Sequence, residues 1–360
     1  MKIIQVIVTI QKGDAIGNFT LSLDKLFKIN GFDSRICAEN VGKGISKKYI
    51  DDFSLLDKVK KDDLIIYQMC EGNQINKKIK KLLCKKIAIY HNVTPPEFFR
   101  RYGRSMISIQ ENAIKEIREM NQTFDKCIAD SEFNKQDLIK MGYDENKIEV
   151  IPIIVQYDDF KKKPDEEIIK QYKADDYVNF LFVGRIVPNK KQEDIIRTFA
   201  YYKKHINDKA RLILIGSPFS DDYYNDLITY IHVLGLENSI VIPGHISFEK
   251  ILAFYSVADV FLCMSEHEGF CVPLVEAMLF DIPIVAYDST AIKYTLGRGG
   301  VLIQDKNPVI FADTINKILL NTSMKEEIIT QQRIRLDELK QSSIENKIMK
   351  AIRIAIEGRI

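Results

Sequence analysis

The chain has 360 residues and lacks any apolar run long enough to cross a bilayer. Its opening, "MKIIQVIVTIQKGD", holds an apolar stretch of only about eight residues with no cleavage region, which predicts a first β-strand and not a leader or a span. The six cysteines (Cys37, Cys70, Cys84, Cys127, Cys263 and Cys271) include no C-x-x-C pair. Most sit in apolar runs, the pattern of reduced, buried thiols in a cytoplasmic protein. The five histidines are scattered, with no ligand cluster, which excludes a zinc site. Charge of one sign is also missing: 52 Lys and Arg face 50 Asp and Glu, so no global field points to nucleic acid. Neither the dinucleotide G-x-G-x-x-G nor the Walker lysine pattern occurs, and there are no short repeats or low-complexity tracts.

What remains is the mix of a globular protein, with 46% hydrophobic and 28% charged residues and a length that suggests two domains. Short β-branched runs alternate with segments of helical period. The first half carries "KIIQVIV", "SRICA", "DLIIYQM", "KIAIYH", "KCIAD" and "IEVIPI". The second carries "VNFLFVG", "RLILIG", "IVIPG", "DVFLCMS", "IPIVAY" and "GVLI". Strand, helix, strand, repeated, predicts parallel sheets covered on both faces. The rhythm breaks at the charged stretch from Gln156 to Tyr177, which reads as a linker into a second α/β domain. The expected lobes are therefore residues 1–155 and 156–342. The last helical stretch, residues 343–360, has no strand to follow and is expected to cross back onto the first lobe.

In open parallel sheets, ligands sit beyond the carboxyl ends of the strands. Four such loops and one strand end stand out. In "VGRIVPNKKQEDII", Gly184 permits close backbone approach, and Arg185 and Lys190 bring two cations to a helix start. That suits a diphosphate, although the same two residues also read as surface charges. In "SEHEGFCVPLVEAM", Glu268 precedes a Gly turn at Gly269, and Glu276 lies one turn into a helix that Pro273 begins. Glu276 suits two adjacent hydroxyls, as on a ribose, or merely complements the helix dipole. In "GHISFEKILAFY", the backbone at His245 and Ile246 could face a base edge or form an ordinary turn. "QKGDAIGNF" is a glycine loop with Gly13 and Gly17 after the first strand. Finally, His91 in "YHNVTPPEFF" ends a strand, where it either faces a cleft or serves the core.

Taken in order and spacing, these pieces resemble the retaining glycosyltransferases of family 4, over nearly the whole chain. The resemblance runs from "FVGRIVPNKKQ" through "GHISFEKILAFYSVADVFLCMSEHEGFCVPLVEAM" to "IPIVAYDSTAI" and "GGVLI", with "IADSE" and "KIEVIPIIV" closing the first lobe. It implies the GT-B fold: two Rossmann-like, doubly wound parallel-sheet lobes facing across a cleft. It implies that Arg185 and Lys190 hold the donor diphosphate, that Glu276 binds the donor ribose, and that Glu268 faces the transferred sugar. The amides of Gly269, Phe270 and Cys271 would contact sugar and phosphates. His91 would lie near the reacting sugar and Gly17 in the first-lobe loop. The turn here is Gly-Phe-Cys where the family more often has Gly-Phe-Gly, so the Cys271 side chain is expected to narrow the sugar pocket. "VIPIIV" lacks the family's frequent Asn-Gly.

The implied reaction moves a hexose-type sugar from a UDP- or GDP-linked donor to an acceptor hydroxyl with retention, in polysaccharide, lipopolysaccharide or glycolipid assembly. No D-x-D triplet is present to hold a metal, so protein cations are expected to replace one and no cofactor is required. The first lobe would take the glycan or lipid-linked acceptor. Residues 1–150 hold 26 Lys and Arg against 21 Asp and Glu. Within "NKKIKKLLCKK", the lysines from Lys77 to Lys86 surround Ile79, Leu82 and Leu83. That stretch is either a basic amphipathic surface for anionic lipid on the inner membrane face or a solvated helix. A nucleotide-sugar epimerase of similar fold and a non-catalytic sugar-binding protein are the rival readings.

Overall fold

The computed structural model describes residues 1–42 and 44–357. The described residues form two compact units, each built on one parallel sheet.

The first unit comprises Met1–Glu97, Arg104–Val155 and the chain from Leu339 onward. Its strands are β1 (Lys2–Ile10), β2 (Asp33–Val41), β3 (Ile50–Asp51), β4 (Leu64–Met69), β5 (Lys85–Tyr90), β6 (Lys126–Ala129) and β7 (Ile148–Val150). They lie in the order β3-β2-β1-β4-β5-β6-β7, parallel throughout. The order reverses at β1, so the switch point lies beyond the carboxyl ends of β1 and β4. Every residue of β4 is buried, as expected for a strand covered on both faces. β3 has only two residues and carries no apolar run, so nothing in the pattern announced it.

Helix α1 (Ala15–Ile29) buries Phe19, Leu23, Leu26 and Phe27, a stripe of helical period. Asp14 caps it by accepting from the Gly17 amide at 3.0 Å. A Cβ on Gly17 would lie 2.1 Å from the Gln11 carbonyl oxygen, so the helix can sit this close only on glycine. Helices α2 (Ile75–Lys81), α3 (Arg104–Arg118) and α4 (Glu132–Lys140) follow, the last capped by Ser131.

The second unit comprises Phe98–Gly103 and Gln156–Glu338. Its strands β8 (Val178–Val183), β9 (Ala210–Ile215), β10 (Ile240–Gly244), β11 (Val260–Cys263), β12 (Ile284–Tyr287) and β13 (Val301–Ile303) lie in the order β10-β9-β8-β11-β12-β13. Again all pairs are parallel. Phe180, Phe182, Leu212 and Leu214 enter one core cluster, while Leu181, Ile213 and Phe261 enter another. That alternation shows both faces of the sheet covered. The covering helices are α5 (Glu166–Tyr172), α6 (Gln192–His205), α7 (Asp221–Val233), α8 (Phe248–Val257), α9 (Val272–Leu279), α10 (Ile292–Leu296), α11 (Pro308–Leu320) and α12 (Thr322–Glu338). The last helix, α13 (Gln341–Glu357), clusters with the first unit and buries Ile344, Ile348, Ile352 and Ala355. Residues 358–360 of the expected tail lie outside the described residues.

Two expectations need correction. Residues 98–103 were expected within the first lobe, yet they cluster with the second unit. The cause is aromatic packing: Phe99 on Phe219 at 5.2 Å and Tyr102 on Tyr223 at 4.9 Å between ring centroids. Arg101 adds a 2.7 Å ion pair to Asp226.

The lysine-rich stretch is not one basic face. Helix α2 ends at Lys81, and Lys85 and Lys86 already belong to β5. Lys78 pairs with Asp57 at 2.8 Å, Lys85 with Asp125 at 3.2 Å, and Lys80 lies 3.8 Å from Glu119. Lys86 is buried, its ammonium donating to the carbonyls of Leu82 and Cys84. Among the described residues no helix is long and apolar enough to cross a membrane.

Candidate functional site

The loop after β8 begins at Gly184. A Cβ on Gly216 would lie 1.9 Å from the Gly184 carbonyl oxygen, so the loops after β8 and β9 run in near contact. Arg185 is exposed, and its guanidinium lies 5.9 Å from the Phe219 ring centroid. A short turn, Pro188–Lys190, leads to Lys191, whose left-handed backbone (φ 53°) starts α6. The Lys190 side chain points back to the strand ends. Its ammonium meets the Glu268 carboxylate at 2.5 Å, with the two side chains only 15% and 11% exposed. Burial works against the charge on Lys190. The attraction and hydrogen bond of Glu268, with smaller contributions from Cys271 and Cys263, together outweigh it, and the ammonium is held above its ordinary range.

Glu268 lies in the loop after β11, and several bonds fix that loop. Its amide donates to Thr290 Oγ1 at 3.0 Å, and Ser289 Oγ donates to the Ser265 carbonyl at 2.5 Å. Thr295 donates to the Phe270 carbonyl. Asn189 joins this loop to the first. Its side chain donates to the His267 carbonyl at 2.9 Å, and its own carbonyl accepts from the Glu266 amide at 2.8 Å. Gly269, Phe270 and Cys271 then form the turn that opens α9, whose first-turn amides give an electropositive end. Cys271 takes the left-handed conformation (φ 72°), unusual for a residue with a Cβ. Its side chain is buried in the core cluster that contains Cys263. Its hydrogen bond to Cys263, then burial, pushes the Cys271 thiol well up and keeps it neutral. The thiol is thus stored in the core, which corrects the expectation that it narrows a sugar pocket.

One turn on, Glu276 accepts a 2.6 Å hydrogen bond from the Tyr255 hydroxyl. Burial raises its pKa, and the Tyr255 bond only partly opposes this. His245 is exposed just past β10, while Ile246 is half-buried against the core under α9. The structure therefore joins Lys190 directly to Glu268, while Arg185 and Glu276 meet separate partners, the Phe219 ring and the Tyr255 hydroxyl.

In the first unit, Gly17 lies in the first turn of α1. His91 differs from expectation. Its side chain is only 1% exposed, so it does not present an open face. Nδ1 lies 2.7 Å from Asp130 Oδ2, and Nε2 lies 2.7 Å from Gln68 Oε1. Burial raises the Asp130 pKa, and His91 opposes that rise.

Residues 164–335, just under half of the chain, match the model of the family "glycosyl transferases group 1". That match lies within the second unit. An uncharacterized glycosyltransferase of Methanocaldococcus jannaschii is 28% identical over 43% of this chain and 39% of its own length. The O-antigen chain mannosyltransferase B of Escherichia coli is 24% identical over 73% of this chain and 68% of its own. The chain spans about half the length, or less, of several curated relatives that it matches. Among solved structures, Anabaena HepE in complex with UDP and glucose aligns over 98% of this chain and 99% of its own, with a TM-score of 0.77 at 20% identity. The two parallel sheets of seven and six strands are those of the GT-B fold.

Some residues at this site carry no signal in the sequence. Asn189, which ties the two loops together, sits inside the quoted "VPNKK" but carries no charge to attract notice. Behind the Lys190–Glu268 pair, Lys306 bridges Asp194 at 2.8 Å and Glu266 at 2.7 Å, and Lys191 approaches Glu266 at 3.4 Å. Lys306 comes from beyond β13, over a hundred residues from Asp194, so no local spacing could have found it.

Proposed function

We propose that the chain transfers a hexosyl group from a nucleoside-diphosphate sugar, UDP- or GDP-linked, to an acceptor hydroxyl with retention of anomeric configuration. The observation that carries this reading is the largely buried Lys190–Glu268 pair beside the N-terminus of α9, at the carboxyl ends of β8 and β11. When the bond from the anomeric carbon to phosphate breaks, negative charge grows on the departing diphosphate. Lys190, Arg185 and the helix amides oppose that growth with groups already in place. Glu268 serves the transferred sugar and Glu276 the ribose hydroxyls. The new bond forms on the same face, and the acceptor proton passes to the departing phosphate oxygen. The missing D-x-D triplet fits a site in which protein cations do the work of a metal. HepE's UDP supports a uridine donor, and the O-antigen relative supports a glycan acceptor, in polysaccharide, lipopolysaccharide or glycolipid assembly.

The test is incubation of the protein with UDP- and GDP-hexoses and hydroxyl-bearing acceptors, with NMR of the product. Transfer with an unchanged anomeric configuration, lost in Lys190→Ala, is expected without added metal. Interconversion of the nucleotide sugar with no acceptor present would instead mark an epimerase. Binding with no turnover under any condition would mark a sugar-binding protein.

A further inference from the structure

The first unit contains a string of buried polar side chains that its apolar strand pattern does not require. Gln5 on β1 and Gln68 on β4 are both 0% exposed. Gln5 Nε2 donates to the Thr20 carbonyl in α1 at 3.1 Å. Gln68 Nε2 donates to Gln5 Oε1 at 3.2 Å. Gln68 Oε1 faces His91 Nε2 at 2.7 Å, and His91 Nδ1 faces Asp130 Oδ2 at 2.7 Å. His91 directly follows β5, and Asp130 directly follows β6. The string thus takes one residue in, or directly after, each of four neighbouring strands, in their spatial order.

The direction of this string is fixed at one end. The Thr20 carbonyl can only accept, so Gln5 must turn its NH2 toward it and its oxygen toward Gln68. Gln68 must then turn its NH2 toward Gln5 and its oxygen toward His91. Nε2 of His91 must therefore donate. Reversing either amide sets two acceptors face to face in a dry interior, where unmet hydrogen bonds are expensive. Whichever of His91 and Asp130 holds the proton between them, Nε2 keeps its own. The ring is further held by the edge contact of Phe19, at 5.9 Å between centroids.

We infer that Gln5 and Gln68 are positioning residues that lock the proton of His91 on Nε2, so that His91 acts as a buried, proton-bearing strut and not as a base. The family resemblance put His91 near the reacting sugar. The string assigns it a supporting role, two side chains removed from the helix that sets its direction.

Long-range nitrogen–proton correlation spectra of the full-length, histidine-labelled protein test this, with His91 assigned by the loss of its signals in His91→Asn. A protonated Nε2 throughout the neutral range is expected. An unprotonated Nε2 in the wild-type protein overturns the inference without any variant. Gln5→Leu, which touches neither His91 nor Gln68's far end, frees the Gln68 amide to turn and should mix the two ring tautomers. If that variant does not fold, Gln68→Met serves the same purpose. An unchanged spectrum in a folded variant overturns the positioning role. The activity arm rests on the glycosyl-transfer reading: kcat falls by about tenfold in Gln5→Leu with the donor KM little changed. Absence of transfer in the wild type sinks the proposed function and leaves the spectral result to decide the inference.

Discussion

The carboxyl ends of the two sheets solve the problem of polar groups in different ways. In the second unit, charges dominate: Lys190 on Glu268, and Lys306 on Asp194 and Glu266. They come mostly from two loops and remain partly exposed. In the first unit, a directed string of neutral amides leads through His91 to Asp130, with side chains almost wholly buried. Ion pairs at a partly wet edge are suited to meet a charged ligand, because they can exchange one partner for another. A buried amide string cannot do so without breaking its direction, so it holds geometry instead. The same sheet topology can thus present a binding edge in one unit and a supporting edge in the other.

The largest expected effect lies in the charged edge. Lys190→Ala should lower kcat for sugar transfer by about a hundred- to a thousandfold, and a steady-state assay with the preferred donor would read it. A loss no larger than that of Gln5→Leu would remove the distinction between the two edges. Next is stability. Glu268→Ala leaves the Lys190 ammonium without its partner and should cost about 3–5 kcal/mol in urea unfolding. The Lys190 contribution is complete below pH 10.5 and fades as pH rises through its elevated folded value, because the folded state then loses a proton that it holds more tightly than the unfolded chain. Gln68→Leu in the amide string should cost less, about 1–3 kcal/mol, since it strands neutral groups and not a charge.

Glu276→Gln divides binding from folding. Donor affinity should fall about tenfold in calorimetry. The unliganded protein should become more stable at neutral pH, because a raised carboxyl pKa means the folded state disfavours the charged form. That gain should shrink as pH falls toward and below 4.5, where both states are protonated. A loss of stability instead would show that the Tyr255 bond outweighs burial. The smallest effect belongs to the exposed Lys77 and Lys81. Replacing both by Ala should alter stability by less than about 0.5 kcal/mol and leave sedimentation with anionic vesicles unchanged.

Most of the architecture could be read from the residues. Twelve of the strands carry short apolar runs, and these follow from periodicity alone. The two-residue β3 has no such run and is a strand only because β2 lies beside it. The site divides the same way. Lys190 and Glu268 stand out because each is a charge placed at the end of a buried strand. Asn189 does not, since its value lies in joining two loops far apart in the chain. The lysines from Lys77 to Lys86 misled for the opposite reason: their spacing suggests one face, but helix α2 ends at Lys81 and the acids that neutralise them come from elsewhere in the unit.

Local order in the chain settles which segments become strands and helices, since that depends on which residues recur at periods of two and three to four. It also settles that cations and carboxylates collect at strand ends in the second half. The pairing of Lys190 with Glu268, the storage of the Cys271 thiol beside Cys263, and the placement of Phe98–Gly103 with the second unit were decided only by folding. So was the string of hydrogen bonds that surrounds His91. A histidine in a sequence does not show how firmly its ring proton is held. In the inferred string the Nε2 proton is fixed because the main-chain carbonyl of Thr20, seventy-one positions away, can accept a hydrogen bond but cannot give one.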